Sequence, residues 1–218
     1  MEESNQSFGK QVPLSLSSAE HYAEKYYIPH SGVSKAVHAV ESALVELSQE
    51  PALFRVFYLF GPQGSGKTHF LSLYKKQAEQ QGVRIAVVDG ISDDDDWIRY
   101  FVDSYESTKR QGGLFLVAAE RTAQQAFSNP HSGSRLRVAT PLEINYPSES
   151  ELRPLLDSLA ERHNFILSEQ MGEYLVKRLP GKPLSFDNIF AKISELSLVS
   201  GKPVNLGRAR EAIEQQED

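Results

Sequence analysis

The chain has 218 residues, 40% hydrophobic and 24% charged, enough for one large domain or two small ones around a real core. Against 29 Asp and Glu stand 23 Lys and Arg; the formal charge of −6 argues against non-specific gripping of nucleic-acid phosphates as the main task. The absence of cysteine excludes disulfides and thiolate chemistry, no apolar run approaches the roughly 18 residues of a membrane span, and MEESNQSFGK lacks the basic-then-apolar order of a secretory signal, so a cytoplasmic protein with no membrane partner is expected.

Residues 1–20 are rich in Ser, Glu, Gln and Gly and read as a flexible arm carrying a short apolar cluster. From Val33 to Leu47, Val37, Val40, Leu44 and Leu47 recur at helical spacing, with Ser34 as the expected cap. Phe54–Phe60 then forms a short aromatic and β-branched run ending at Gly61-Pro62, as a buried strand entering a loop does. Lys67–Gln81 puts Phe70, Leu71, Tyr74 and Ala78 on one helix face, Gly82 closes it, and Val83–Val88 is a second buried strand. Asp93–Asp96 precedes an apolar helix face over Trp97–Lys109, where negative charge suits the positive end of the helix dipole. Leu114–Ala118 is a third strand, residues 120–140 read as polar and irregular, and Leu142–Ile144 is a candidate fourth strand. Strand and helix alternate as in a parallel sheet with crossover helices.

Beyond Pro147 the pattern becomes all-helical. Ser148 and Glu151 form a capping box for a helix to about His163, Ser168 caps one to Arg178, and Leu184–Ser200 and Arg208–Gln215 follow. The expected architecture is an arm (1–20), an α/β core (21–147) and a helical lid (148–218).

Between the first strand and the second helix, Gly61-Pro62-Gln63-Gly64-Ser65-Gly66-Lys67-Thr68 satisfies G-x-x-x-x-G-K-[ST] in the context that gives this motif meaning. Glycines let successive amides turn toward phosphate oxygens, the helix adds its positive end, Lys67 reaches the β and γ phosphates, and Thr68 offers a hydroxyl to Mg²⁺. Residues 61–68 with the adjoining His69 are therefore the expected cradle of ADP or ATP with Mg²⁺. Hydrolysis needs more. The candidate metal-binding strand, Ile85–Asp89, ends in an Asp, but Gly90 has no side chain with which to orient water. Asp89 as a metal group and Asp89 as a mere strand end both remain open. Asp93–Asp96 reads first as a solvated helix start and second as a substitute metal or base site, so intrinsic ATPase activity is expected to be weak or absent.

A strand, phosphate loop, sheet and lid together resemble the AAA+ class, and particular segments resemble its DnaA/Hda family, the Hda-type regulators most closely. Phe115–Arg121 resembles the family's sensor strand with its acidic-Arg pair. Ser134-Arg135-Leu136 resembles the motif whose arginine acts in trans on a neighbour's ATP, which implies a finger role for Arg135 beside the other reading, a solvated surface arginine. Gln11-Val12-Pro13-Leu14-Ser15-Leu16 resembles the peptide by which Hda-type proteins dock on the DNA polymerase III sliding clamp, implying contacts from Gln11, Val12, Leu14 and Leu16; an unremarkable tail is the alternative. Tyr27 and Ile28 stand where the family's linker packs on adenine, although core packing explains them as well. Val83–Asp89 is either the family's second strand or its metal-binding strand; Val-Asp-Gly-Ile at 88–91 resembles the family's metal-binding Ile-Asp-Asn-Ile, which favours the latter with one edge strand lost. In the lid, Asp187 aligns where the family has a nucleotide-sensing arginine, which argues further against turnover. The resemblance implies a negative regulator of replication initiation that stimulates hydrolysis of DnaA-bound ATP, without sequence-specific DNA binding of its own; the alternatives are an intrinsically active ATPase that loads or remodels another assembly and a non-catalytic nucleotide-bound scaffold that binds DnaA or the clamp, and homodimerisation stays open.

Overall fold

The computed structural model describes residues 27–122, 130–179 and 183–217. The expected clamp peptide, Gln11–Leu16, lies outside them. Four parallel strands, β1 (Phe54–Phe60), β2 (Ile85–Asp89), β3 (Gly113–Ala119) and β4 (Thr140–Glu143), lie in the order β2-β3-β1-β4. Parallel neighbours require crossovers, and the apolar helices α2 (Lys67–Gln80) and α3 (Asp95–Gln111) supply them, while α4 (Pro130–Leu136) lies between β3 and β4.

Both faces of the sheet are covered, and the two-residue strand period divides the side chains between them. Phe57, Leu59, Leu114, Leu116 and Ala118 pack with α2 and with α1 (Ser34–Gln49). Tyr58, Phe115, Val117 and Ala119 pack on the opposite face with Phe101 and Tyr105 of α3 and Leu136 of α4. The register pairs Phe60 with both Ala119 and Glu143, so the strands end at one rim, where the phosphate loop emerges. Crevices outside the carboxyl ends of such strands are where open α/β sheets bind ligands.

The lid comprises a 3₁₀ turn at Glu149–Glu151 running into α5 (Leu152–Arg162), then α6 (Glu169–Arg178), α7 (Pro183–Ser200) and α8 (Leu206–Glu217). Its own core, centred on the fully buried Phe186, Ile189, Phe190 and Leu156, shares no residue with the two clusters of the sheet. The architecture is an α/β core, a parallel sheet with flanking helices, followed by a helical lid. Among the described residues no helix is long and apolar enough to cross a membrane.

Several element ends differ from the sequence reading, each for a local reason. Ser34 does not cap α1: Val33 holds that position, and the Ser34 hydroxyl donates to the Ser31 carbonyl at 3.0 Å. Val83 is spent closing α2, its N–H bonding the Ala78 carbonyl at 2.8 Å around left-handed Gly82, so β2 starts at Ile85. Asp94 is the cap of α3, accepting from the N–H groups of Asp96 and Trp97, and Asp95 and Asp96 fill the first turn. The segment expected to be irregular contains α4, begun by a proline whose missing N–H costs nothing there. β4 runs over Thr140–Glu143 instead of Leu142–Ile144, because pairing with Phe57–Phe60 fixes its extent. The last helix starts earlier than Arg208 and ends later than Gln215; the Asn205 side chain accepts from Arg208 N–H at 3.1 Å and marks its start.

Candidate functional site

The turn after β1 is dictated by crowding. A Cβ on Gly61 would stand 1.9 Å from the Ile144 carbonyl oxygen, so only glycine lets the chain leave the sheet beside β4. Gly66 takes φ +94 immediately before α2, a left-handed conformation that leaves the first amides of that helix free of any side-chain cap. The loop and helix start border a cavity of about 770 Å³, in the range of ligand sites, with α5 and the start of α7 opposite.

Lys67 is 9% exposed and folds back on its own loop, donating to the Gly61 carbonyl at 2.9 Å and the Pro62 carbonyl at 2.8 Å. Burial pushes its ammonium pKa down, while Glu120 and Asp89 nearby push it up. Carbonyls are weak substitutes for an anion, so a phosphate group is the better partner for this cation. The buried Ser65 hydroxyl has no hydrogen-bond partner. Helix-start amides without a side-chain cap, a lysine resting on two carbonyls and one orphaned hydroxyl make a donor set that fits a polyphosphate.

Thr68 at the start of α2 donates its hydroxyl to Asp89 at the end of β2, at 2.6 Å. The β2–β3 pairing brings this about: Asp89 is in register with Ala118, and Gly90 N–H bonds the Ala118 carbonyl at 2.8 Å. Hydroxyl and carboxylate together match the few protein ligands that Mg²⁺ takes beside phosphate oxygens. Among the described residues no group of three or more His, Cys, Asp or Glu side chains could hold a metal by itself.

Of the expected cradle, Gln63, Gly64, Ser65, Gly66, Lys67, Thr68 and His69 line the cavity, as do Tyr27, Ile28 and Asp89; Gly61 and Pro62 instead shape the turn and receive Lys67. Tyr27 packs into the core and also borders the cavity; its ring lies edge-on against His69 and Phe70, at centroid distances of 5.3 and 6.4 Å. Burial, reinforced by Glu41, raises the pKa of its phenol far above the ordinary value, so it stays a neutral hydroxyl.

Arg135 lies apart from this cavity. Its guanidinium pairs with Glu106 of α3 at 2.8 Å and lies over the Tyr105 ring, leaving the side chain 23% exposed. Asp93 lines the cavity, whereas Asp94, Asp95 and Asp96 belong to the start of α3.

Of the other lining residues, Glu120 and Asp187 entered the sequence reading only through the family resemblance, and Leu155, Leu159, Arg162 and Leu184 were not singled out as site residues. Glu120 follows β3 at the rim and acts electrostatically on Lys67. Its turn is held by the Tyr58 hydroxyl, which donates to the Arg121 carbonyl at 2.6 Å. Leu155, Leu159 and Arg162 of α5, with Leu184 and Asp187 of α7, bring the lid to the site. The contact is direct: a Cβ on Gly64 would come 2.8 Å from Leu184 Cβ. The Tyr146 hydroxyl donates to the Gln63 carbonyl at 2.6 Å, tying the core–lid connection to the loop. Glu151 accepts from Ser31 N–H and hydroxyl, both at 2.7 Å, and from Ser148, and these bonds lower its pKa to about 2. The Ser148–Glu151 capping box was legible; its extension to a residue 120 positions away was not.

The fold is the one seen in solved structures of DnaA and RuvB. Domain III of the Thermotoga maritima replication initiation protein DnaA superposes with a TM-score of 0.74 at 14% identity, over 89% of this chain and 96% of that one. AMPPCP-bound DnaA from Aquifex aeolicus gives 0.65 at 16% identity, over 90% and 71%. The Thermotoga maritima RuvB Holliday junction branch migration motor gives 0.61 at 16% identity, over 83% and 68%. No protein-family model and no curated sequence matches the chain.

Proposed function

We propose that this chain is an adenine-nucleotide-binding AAA+ regulator of replication initiation, which docks on the polymerase sliding clamp through Gln11–Leu16 and presents Arg135 to ATP held by DnaA. The observation that carries the nucleotide part is the conjunction at one cavity of Lys67, the orphaned Ser65 hydroxyl and the Thr68–Asp89 pair. An AMPPCP-bound DnaA of the same fold supports adenine nucleotide as the ligand. The regulatory part draws on the sequence resemblance and on Gly90, which supplies no side chain beside Asp89 to orient an attacking water. A trans arginine finger raises hydrolysis by roughly 10³–10⁵ where charge builds on the transferring phosphoryl group. To act so, Arg135 must exchange Glu106 for a phosphate across the interface.

The decisive experiment loads DnaA with labelled ATP, adds clamp on DNA and this protein, and follows conversion to ADP. Wild type is expected to accelerate conversion; Arg135→Ala is expected to lose that acceleration while keeping nucleotide and clamp binding. No acceleration by wild type, with clamp binding intact, overturns the DnaA-directed role. A second reading, an active ATPase, is favoured by the carboxylates of Asp93 and Glu120 at the cavity. Steady turnover by the purified chain, abolished in Lys67→Ala, would select it.

A further inference from the structure

At the lid wall of the cavity, α7 brings a carboxylate toward a loop built for phosphates. Leu184 touches Gly64 of that loop, and Asp187, one helical turn further on, lines the same cavity. A carboxylate in that place opposes an incoming polyphosphate. Yet it is not bare: Arg162, the last residue of α5, forms a salt bridge to Asp187 Oδ1, and His163 Nε2–H donates to the same oxygen at 2.7 Å. The Arg162 side chain is 7% exposed and also lines the cavity.

We propose that Asp187 is a built-in surrogate anion that holds Arg162 in the absence of nucleotide, and that a bound polyphosphate takes the guanidinium from it. Three features make the exchange feasible. Arg162 and Asp187 line the same cavity as the phosphate loop. A guanidinium gains more from a doubly charged phosphate than from one carboxylate, and phosphate accepts its forked donors in parallel. His163 keeps a hydrogen bond on Asp187 after Arg162 turns away, so the carboxylate is not left unpartnered. The lid's cation toward nucleotide thus comes from α5, while α7 contributes its competitor.

This inference rests on the nucleotide reading of the cavity, and the test separates the two. Binding of ATP, ADP and adenosine is measured by calorimetry for wild type, Lys67→Ala, Arg162→Gln and Asp187→Asn. Asp187→Asn is expected to bind ATP and ADP several-fold more tightly than wild type, with adenosine unchanged, because the competing anion is gone. Arg162→Gln is expected to weaken ATP and ADP by about tenfold or more without altering adenosine. A purely structural salt bridge gives the reverse for Asp187→Asn: affinity falls or is unchanged for all three ligands as the lid loosens, and that result overturns the proposal even if Arg162→Gln fails to fold. Wild type that binds ATP and ADP no better than Lys67→Ala does overturns the nucleotide reading itself, and this inference with it.

Discussion

The phosphate loop meets the cavity with backbone amides and one lysine on the rim of a sheet flanked by helices on both faces, whereas the lid meets it with a salt bridge on helices that carry their own core. The first wall is shaped by the backbone: Gly61 fits only against Ile144, and Lys67 rests on two carbonyls of its own loop. The second is an arrangement of opposite charges, Arg162 and His163 on Asp187. The comparison teaches that the two walls of the cavity rest on different apolar cores, joined at Gly64–Leu184, Gln63–Tyr146 and Ser31–Glu151.

Separate cores predict separate melting. Phe186→Ala removes a fully buried ring from the lid and is expected to cost about 3–5 kcal/mol. The lid should then unfold in an earlier calorimetric transition while the sheet's transition stays in place. A single transition shifted as a whole would break the comparison and make core and lid one cooperative unit.

Next in size is the effect of Lys67→Ala. Charge-assisted bonds to phosphate contribute about 1.5–3 kcal/mol, so ADP affinity should fall by roughly 10- to 100-fold with little change in the melting of the sheet. Burial already opposes the lysine's charge in the free protein, so a slight gain in stability on its removal would fit the same picture.

A smaller effect is expected at Glu106→Gln. The pair with Arg135 is partly solvated, so the loss should stay below about 1 kcal/mol in urea unfolding. The same variant releases Arg135 and is expected to speed conversion of DnaA-bound ATP if the finger acts. Unchanged conversion would mean that Glu106 does not restrain it.

The weakest effect concerns the join between the walls. Glu151 has its pKa depressed from 4.5 to about 2 by bonds from Ser148 and Ser31, so the folded state binds fewer protons there than the unfolded chain. Its contribution is complete above pH 4.5 and is lost as pH falls toward 2. The lid transition of wild type should therefore drop more steeply over that window than that of Glu151→Gln. Parallel slopes would show that the clamp adds nothing.

Much of the first wall was legible because its chemistry is local. The G-x-x-x-x-G-K-T spacing specifies turn, amides, cation and hydroxyl within eight consecutive residues, and the strand and helix flanking it have different apolar periods. The acidic run at 93–96 announced the start of α3 for the same reason, since a cap and a first turn are neighbours in sequence. Element ends were less legible. Val83 looks like strand by composition, but a backbone bond to Ala78 claims it for the helix turn, and β4 takes its extent from β1.

The sequence by itself determined the α/β alternation, the helical character of the last third and the position of the phosphate loop, because periodicity, caps and glycine spacing act over a few residues. Only the tertiary structure decided what stands opposite that loop. Asp89 reaches Thr68 because β2 pairs beside β3; Arg135 is held by Glu106 across two helices; and Arg162 and Asp187, 25 residues apart, become partners on the cavity's far wall. Charges of opposite sign carry no mark in the chain of which partner each will find. That choice is made when packing of separate apolar faces fixes the distances, and with them the electrostatics.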